Sequence, residues 1–167
     1  MATPKERFIE ALTFLKDLQE KDIVGIHTDD IPNAKYRQLL VKNGFIREVS
    51  KGWYIATDPS EKEGETTAWF SSYWDFISQF LNKKYGENWC ISADQSLLMH
   101  SGNWSVPQQL IVRSPEGNNK PTPLPYNTSL FNLKTNIASP DQIEIQRGIK
   151  MYNLQSALIY SSPSFYT

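Results

Sequence analysis

Apolar positions recur at three- and four-residue spacing near the start of the chain: Phe8, Ala11, Leu12, Leu15 and Leu18, with Lys5, Glu10, Lys16, Asp17 and Glu20 left polar. That period predicts an amphipathic helix from Pro4 to Lys21. Thr3 is placed to cap it, Pro4 suits the first helical position, and Glu6 completes a capping box. A short apolar stretch, Ile23 to Ile26, leads into Thr28-Asp29-Asp30, which suits a capped turn. Pro32 opens a second predicted helix running to Asn43. It sets Tyr36, Leu39 and Leu40 on one side, and Asn43-Gly44 stops it. Residues 45–49 and 53–57 are β-prone runs around Ser50-Lys51-Gly52 and read as a hairpin.

The pattern changes after the hairpin. Residues 59–65 form an acidic connector. With Asp58, its carboxylates Glu61, Glu63 and Glu65 stand against Lys62 alone. Beyond it a long helix, 66–85, carries Trp69, Phe70, Tyr73, Trp74, Ile77, Phe80 and Leu81, and Gly86 ends it. Strands are predicted at 89–92, 108–113, 129–134 and, weakly, 142–146. Helices are predicted at 94–100 and 154–160, and a Pro/Gly/Asn-rich loop at 114–127. The expected class is α+β. A winged helix-turn-helix at 1–58 is followed, after the connector, by a small mixed domain at 66–167. Apolar side chains persist into the last residues, so the expectation is a front piece of a longer protein, truncated at the end of that second domain.

Composition narrows the chemistry. One cysteine among 167 residues excludes an intramolecular disulfide framework and a cysteine-based zinc site, and suits a cytoplasmic protein. No run of apolar residues is long enough for a membrane span, so no membrane partner is expected. Cys90 lies in an apolar strand pattern and reads as a small hydrophobe, and His100 as a structural residue. Gly117-Asn118-Asn119-Lys120 is turn-rich without the flanking strand and helix of a phosphate loop. No catalytic residue, metal ligand or cofactor is expected, and the chain does not read as an enzyme.

Charge is where the sequence points somewhere. Between Pro32 and Thr57, Lys35, Arg37, Lys42, Arg47 and Lys51 stand against Glu48 alone, within a chain of net charge −1. A basic helix running straight into a hairpin is the layout in which the helix enters the major groove and the wing lies along the backbone. Asn33, Lys35, Arg37 and Gln38 then suit base or phosphate contact. Lys42 supplies further charge, and Arg47 and Lys51 would be wing–phosphate contacts. The aromatic helix carries rings on more than one side, which makes Trp69, Tyr73, Trp74 and Phe80 candidates for a partner interface.

The stretch Leu40-Val41-Lys42-Asn43-Gly44-Phe45-Ile46-Arg47-Glu48-Val49-Ser50-Lys51-Gly52-Trp53-Tyr54 resembles the signature of AbiEi-type antitoxin N-terminal domains, which are winged-helix regulators of toxin–antitoxin systems. Cys90 to Gly102 and Val106 to Val112 resemble the segments that follow the wing in that family. Through Lys51 to Ile55, Ser92 to Trp104 and Val112 to Pro123, nearly the whole chain also resembles the region that some bacterial Fic-family proteins carry ahead of their Fic domain. The Fic histidine-proline-phenylalanine motif is absent, so nucleotidyl transfer is not implied for these residues. The resemblance implies a bacterial transcription regulator bound to double-stranded DNA, as a homodimer or as part of a longer chain. The alternative is a protein-interaction module that neutralises a toxin or regulates an attached Fic domain without touching DNA.

Overall fold

A computed structural model describes residues 3–62 and 64–166 of the chain. Glu63, one of the connector carboxylates, lies outside the described residues. The chain has mixed α+β architecture and divides into two compact units, Met1–Phe76 and Ile77–Thr167. The division falls inside one helix, and both ends of the acidic stretch belong to the first unit.

In the first unit, α1 (Pro4–Glu20) starts as its sequence dictates. Thr3 Oγ1 accepts from the Glu6 amide at 3.1 Å, and Glu6 Oε2 accepts from the Thr3 amide at 3.0 Å. A two-residue strand, β1 (Ile26–His27), a single 3-10 turn at Thr28–Asp30, and α2 (Ala34–Lys42) follow. The second helix begins two residues later than Pro32 suggested. Asn33 is extended at φ −159° and acts as the N-cap, its side chain accepting from the Tyr36 amide at 3.0 Å. At the other end Gly44 takes φ 78°, and Phe45 N donates to Leu40 O, closing the helix as the Asn-Gly pair implied.

The hairpin pairs β2 (Ile46–Ser50) with β3 (Trp53–Ala56), and β1 joins the other side of β3, giving the order β1-β3-β2. A register shift between Glu48 and Ser50 leaves Ser50 opposite Trp53 across a two-residue turn. Because β3 is central, Trp53, Tyr54 and Ile55 are all buried, which is why its apolar run does not alternate. The core gathers Ala11, Leu15 and Leu18 of α1 with Ile26, Ile31, Leu40, Ile46 and Tyr54.

Helix α3 (Thr67–Tyr85) supplies residues to both units. In the second unit, β4 (Cys90–Ile91), β5 (Gln109–Ser114), β6 (Pro121–Pro123) and β7 (Ser129–Lys134) form a sheet ordered β4-β5-β7-β6, with β5 and β7 parallel. Between β4 and β5 runs α4 (Ala93–His100). A separate hairpin of β8 (Ile143–Gln146) and β9 (Ile149–Tyr152) leads into α5 (Leu154–Tyr160). Strand β6 lies within the stretch expected to be loop, and β9 was not expected at all. Buried Asn132 ties β6 to β7: its Nδ2 donates to Lys120 O and Thr122 Oγ1, and its Oδ1 accepts from the Tyr85 hydroxyl at 2.8 Å.

Candidate nucleic-acid interface

The outer face of α2 is the centre of the candidate site. Lys35, Gln38 and Lys42 are spaced three and four residues apart and so share one exposed helix face, while Leu40 is buried beneath. The helix is fastened to α1 by the Tyr36 hydroxyl, which donates to Glu10 Oε2 at 2.6 Å. That bond raises the phenol pKa above its ordinary value and gives the Glu10 carboxylate a fixed partner. Arg7 of α1 joins the α2 residues: Pro4, Arg7, Lys35, Gln38, Leu39 and Lys42 line a groove of about 290 Å³. Three cations from two helices line this groove, and among the described residues no carboxylate does. Of the sequence-predicted residues, Lys35, Gln38 and Lys42 are brought together here. Arg37 is half-buried on the flank of α2, and Asn33 is committed to the cap.

The hairpin tip is the second element. Lys51 is exposed on the turn, and Gly52 adopts φ 79°, which disfavours a side chain there. Thr28 donates twice to the Gly52 carbonyl, from its amide and its hydroxyl, both at 2.9 Å. A Cβ on Gly52 would stand 3.1 Å from Thr28 Oγ1. The 3-10 turn before α2 therefore holds the hairpin tip in place. His27 packs edge-on against Trp53 at 4.9 Å beneath it.

Arg47 does not join Lys51. It lies mid-strand opposite Ile55, and its Nη2 stands 4.0 Å from Glu61 Oε2, whose side chain is only 6% exposed. The expected wing–phosphate cation is thus paired with a buried carboxylate of the acidic stretch. Asp58, at the start of that stretch, is held by the Ser60 hydroxyl and amide, which lower its pKa.

The aromatic residues expected at a partner interface are buried: Trp69 is 1% exposed, Tyr73 0%, Trp74 6% and Phe80 5%. Phe70, at 39%, is the ring of that helix that reaches solvent. Trp69 makes edge-to-face contacts with Tyr73 and Phe76, at 5.5 and 5.4 Å. The Tyr73 hydroxyl is buried with no hydrogen-bond partner among the described residues, and burial pushes its pKa up.

Cys90 is fully buried, which raises its thiol pKa, and His100 Nε2 lies 2.8 Å from the Tyr152 carbonyl. Among the described residues no group of three His, Cys, Asp or Glu side chains is arranged to hold a metal. No helix among them is long and apolar enough to cross a membrane.

Arg7 is the residue that sequence reasoning missed. It stands far from Lys35 along the chain, and only the packing of α1 on α2 joins them. The available signal was a cation one turn into a helix whose apolar face had already been assigned. No protein-family model matches the chain, and no curated protein matches it.

Proposed function

We propose that the first unit is a winged helix-turn-helix that binds duplex DNA, with α2 in the major groove and the β2–β3 tip against the backbone. The carrying observation is the α1–α2 groove, where Arg7, Lys35 and Lys42 converge with Gln38 and, among the described residues, no carboxylate lines the wall. A cluster of that composition on an exposed helix neutralises phosphates, and the Gln38 amide has the donor and acceptor pair that reads adenine. The order α1, β1, 3-10 turn, α2, hairpin supports the winged reading, with the turn at Thr28–Asp30 standing where a longer helix would be usual. Lys51 is the wing contact in this reading, and Arg47 serves the fold. The AbiEi-like stretches support a transcription regulator of a toxin–antitoxin system.

A second reading, docking to a toxin or an attached Fic domain without DNA, draws on the exposed Leu154, Leu158 and Ile159 of α5. Fluorescence anisotropy separates the two. A duplex from the gene's own upstream region is compared with a scrambled duplex at about 50 and about 200 mM salt. Salt-sensitive binding with preference for the native duplex supports the regulator. Absence of binding at the lower salt transfers the case to the docking reading.

A further inference from the structure

The second unit contains a guanidinium that the protein's own groups leave short of partners. Arg113, on β5, is half-buried, and its Nε is buried with no hydrogen-bond partner among the described residues. Nη2 reaches the Asn136 carbonyl only at 3.4 Å. No carboxylate lies within ion-pair distance of it among the described residues. An arginine has five donors in a planar fork, and leaving them unmet in a partly buried place is unfavourable.

Arg113 borders a cavity of about 230 Å³, lined also by Ser92, Asp94, Tyr152, Tyr160 and Ser162. Asp94 is the opposite charge in that wall. Its Oδ1 accepts from the Ser162 amide at 2.7 Å and its Oδ2 from the Ser162 hydroxyl at 2.6 Å. Each carboxylate oxygen keeps further acceptor capacity. The cavity thus offers one cation and one anion that are not paired with each other. A simple anion gains Arg113 but faces Asp94, and a simple cation meets the reverse. A molecule carrying both charges answers both.

We infer that this cavity binds a free α-amino acid, with its carboxylate on Arg113 and its ammonium on Asp94. Size agrees: the cavity is smaller than the roughly 300–1,000 Å³ that drug-sized ligands occupy. The rings of Tyr152 and Tyr160, 5.8 Å apart and tilted by 39°, give an aromatic wall for the ligand's side chain or for its ammonium.

The test is calorimetric titration of the full chain with glycine, L-leucine and L-phenylalanine, against acetate, methylammonium and inorganic phosphate. At least one amino acid is expected to bind, and none of the singly functional probes to match it. Arg113→Lys, which keeps the charge but loses the fork, and Asp94→Asn are each expected to weaken binding by about tenfold or more. Asp94→Asn also loosens Ser162, so exposed Tyr160→Ala is the variant least able to disturb folding, and it too should weaken binding. Circular dichroism checks that each variant is folded. Acetate or phosphate binding as tightly as the amino acids, or tighter binding in Asp94→Asn, would overturn the zwitterion in favour of a plain anion site. No heat with any amino acid up to about 10 mM overturns the site altogether.

Discussion

Removing Lys35 and Lys42 together is the most direct challenge to the proposed role of the α1–α2 groove in DNA binding. Both lie on the exposed face of α2, so Lys35→Ala with Lys42→Ala removes charge without opening the core. Each neutralised phosphate contributes about −0.9 to the slope of log affinity against log salt. If Arg7, Lys35, Lys42 and Lys51 each meet one phosphate, the parent slope is about −3.6, and affinity falls roughly 150-fold between 50 and 200 mM salt. The double variant should show a slope near about −1.8. Counterion release alone then predicts losses of roughly 200-fold at 50 mM but only roughly 20-fold at 200 mM. Anisotropy titrations at four or more salt concentrations read both quantities. An unchanged slope, or an equal loss at every salt concentration, would refute the assignment of these lysines to phosphates.

Three further predictions concern other parts of the chain. Lys51→Ala should lower the slope by about 0.9, whereas Arg47→Ala should leave it nearly unchanged and instead cost about 1–3 kcal/mol in urea unfolding, because Glu61 is left buried without its cation. Tyr73→Phe deletes a buried hydroxyl with no hydrogen-bond partner among the described residues and should hold or raise stability, by up to about 1 kcal/mol, in chemical denaturation. The sign of the accompanying pH effect follows from the raised pKa. The native state favours the neutral phenol, so this stability is fully present below the ordinary value of 10.0 and declines as pH rises beyond it. Tyr73→Phe should flatten that decline. Gly117→Ala should destabilise by about 1–3 kcal/mol in thermal melts, since an added Cβ would stand 2.8 Å from the backbone of Leu133.

Where local chemistry decides, the sequence was readable. The capping box of Thr3 and Glu6 and the Asn43-Gly44 stop are short-range signals, and both stand as expected. The hairpin followed from Ser50-Lys51-Gly52 for the same reason. Strand β1 was not legible because its two residues acquire their conformation from β3, a tertiary partner. The prolines of β6 hid an edge strand. The β8–β9 turn is Arg147-Gly148, both at positive φ, where Asn-Gly would have announced it.

Periodicity located the basic face of α2, yet it had no means of adding Arg7 from another helix or of matching Arg47 to Glu61. The aromatic helix shows the converse limit. Rings on several sides suggested an outside partner, whereas Trp69, Tyr73, Trp74 and Phe80 are all buried within the chain.

The double hydrogen bond from Thr28 to Gly52 has a consequence for how contact would be made. A hairpin free to swing would have to be immobilised in each encounter, and the lost motion would weaken the complex. Here the span between Lys51 and the head of α2 is set when the chain folds, like the fixed jaws of a gauge. If the unit binds duplex as proposed, it would tolerate little variation in groove width and would sense the shape of a duplex before any base edge is touched.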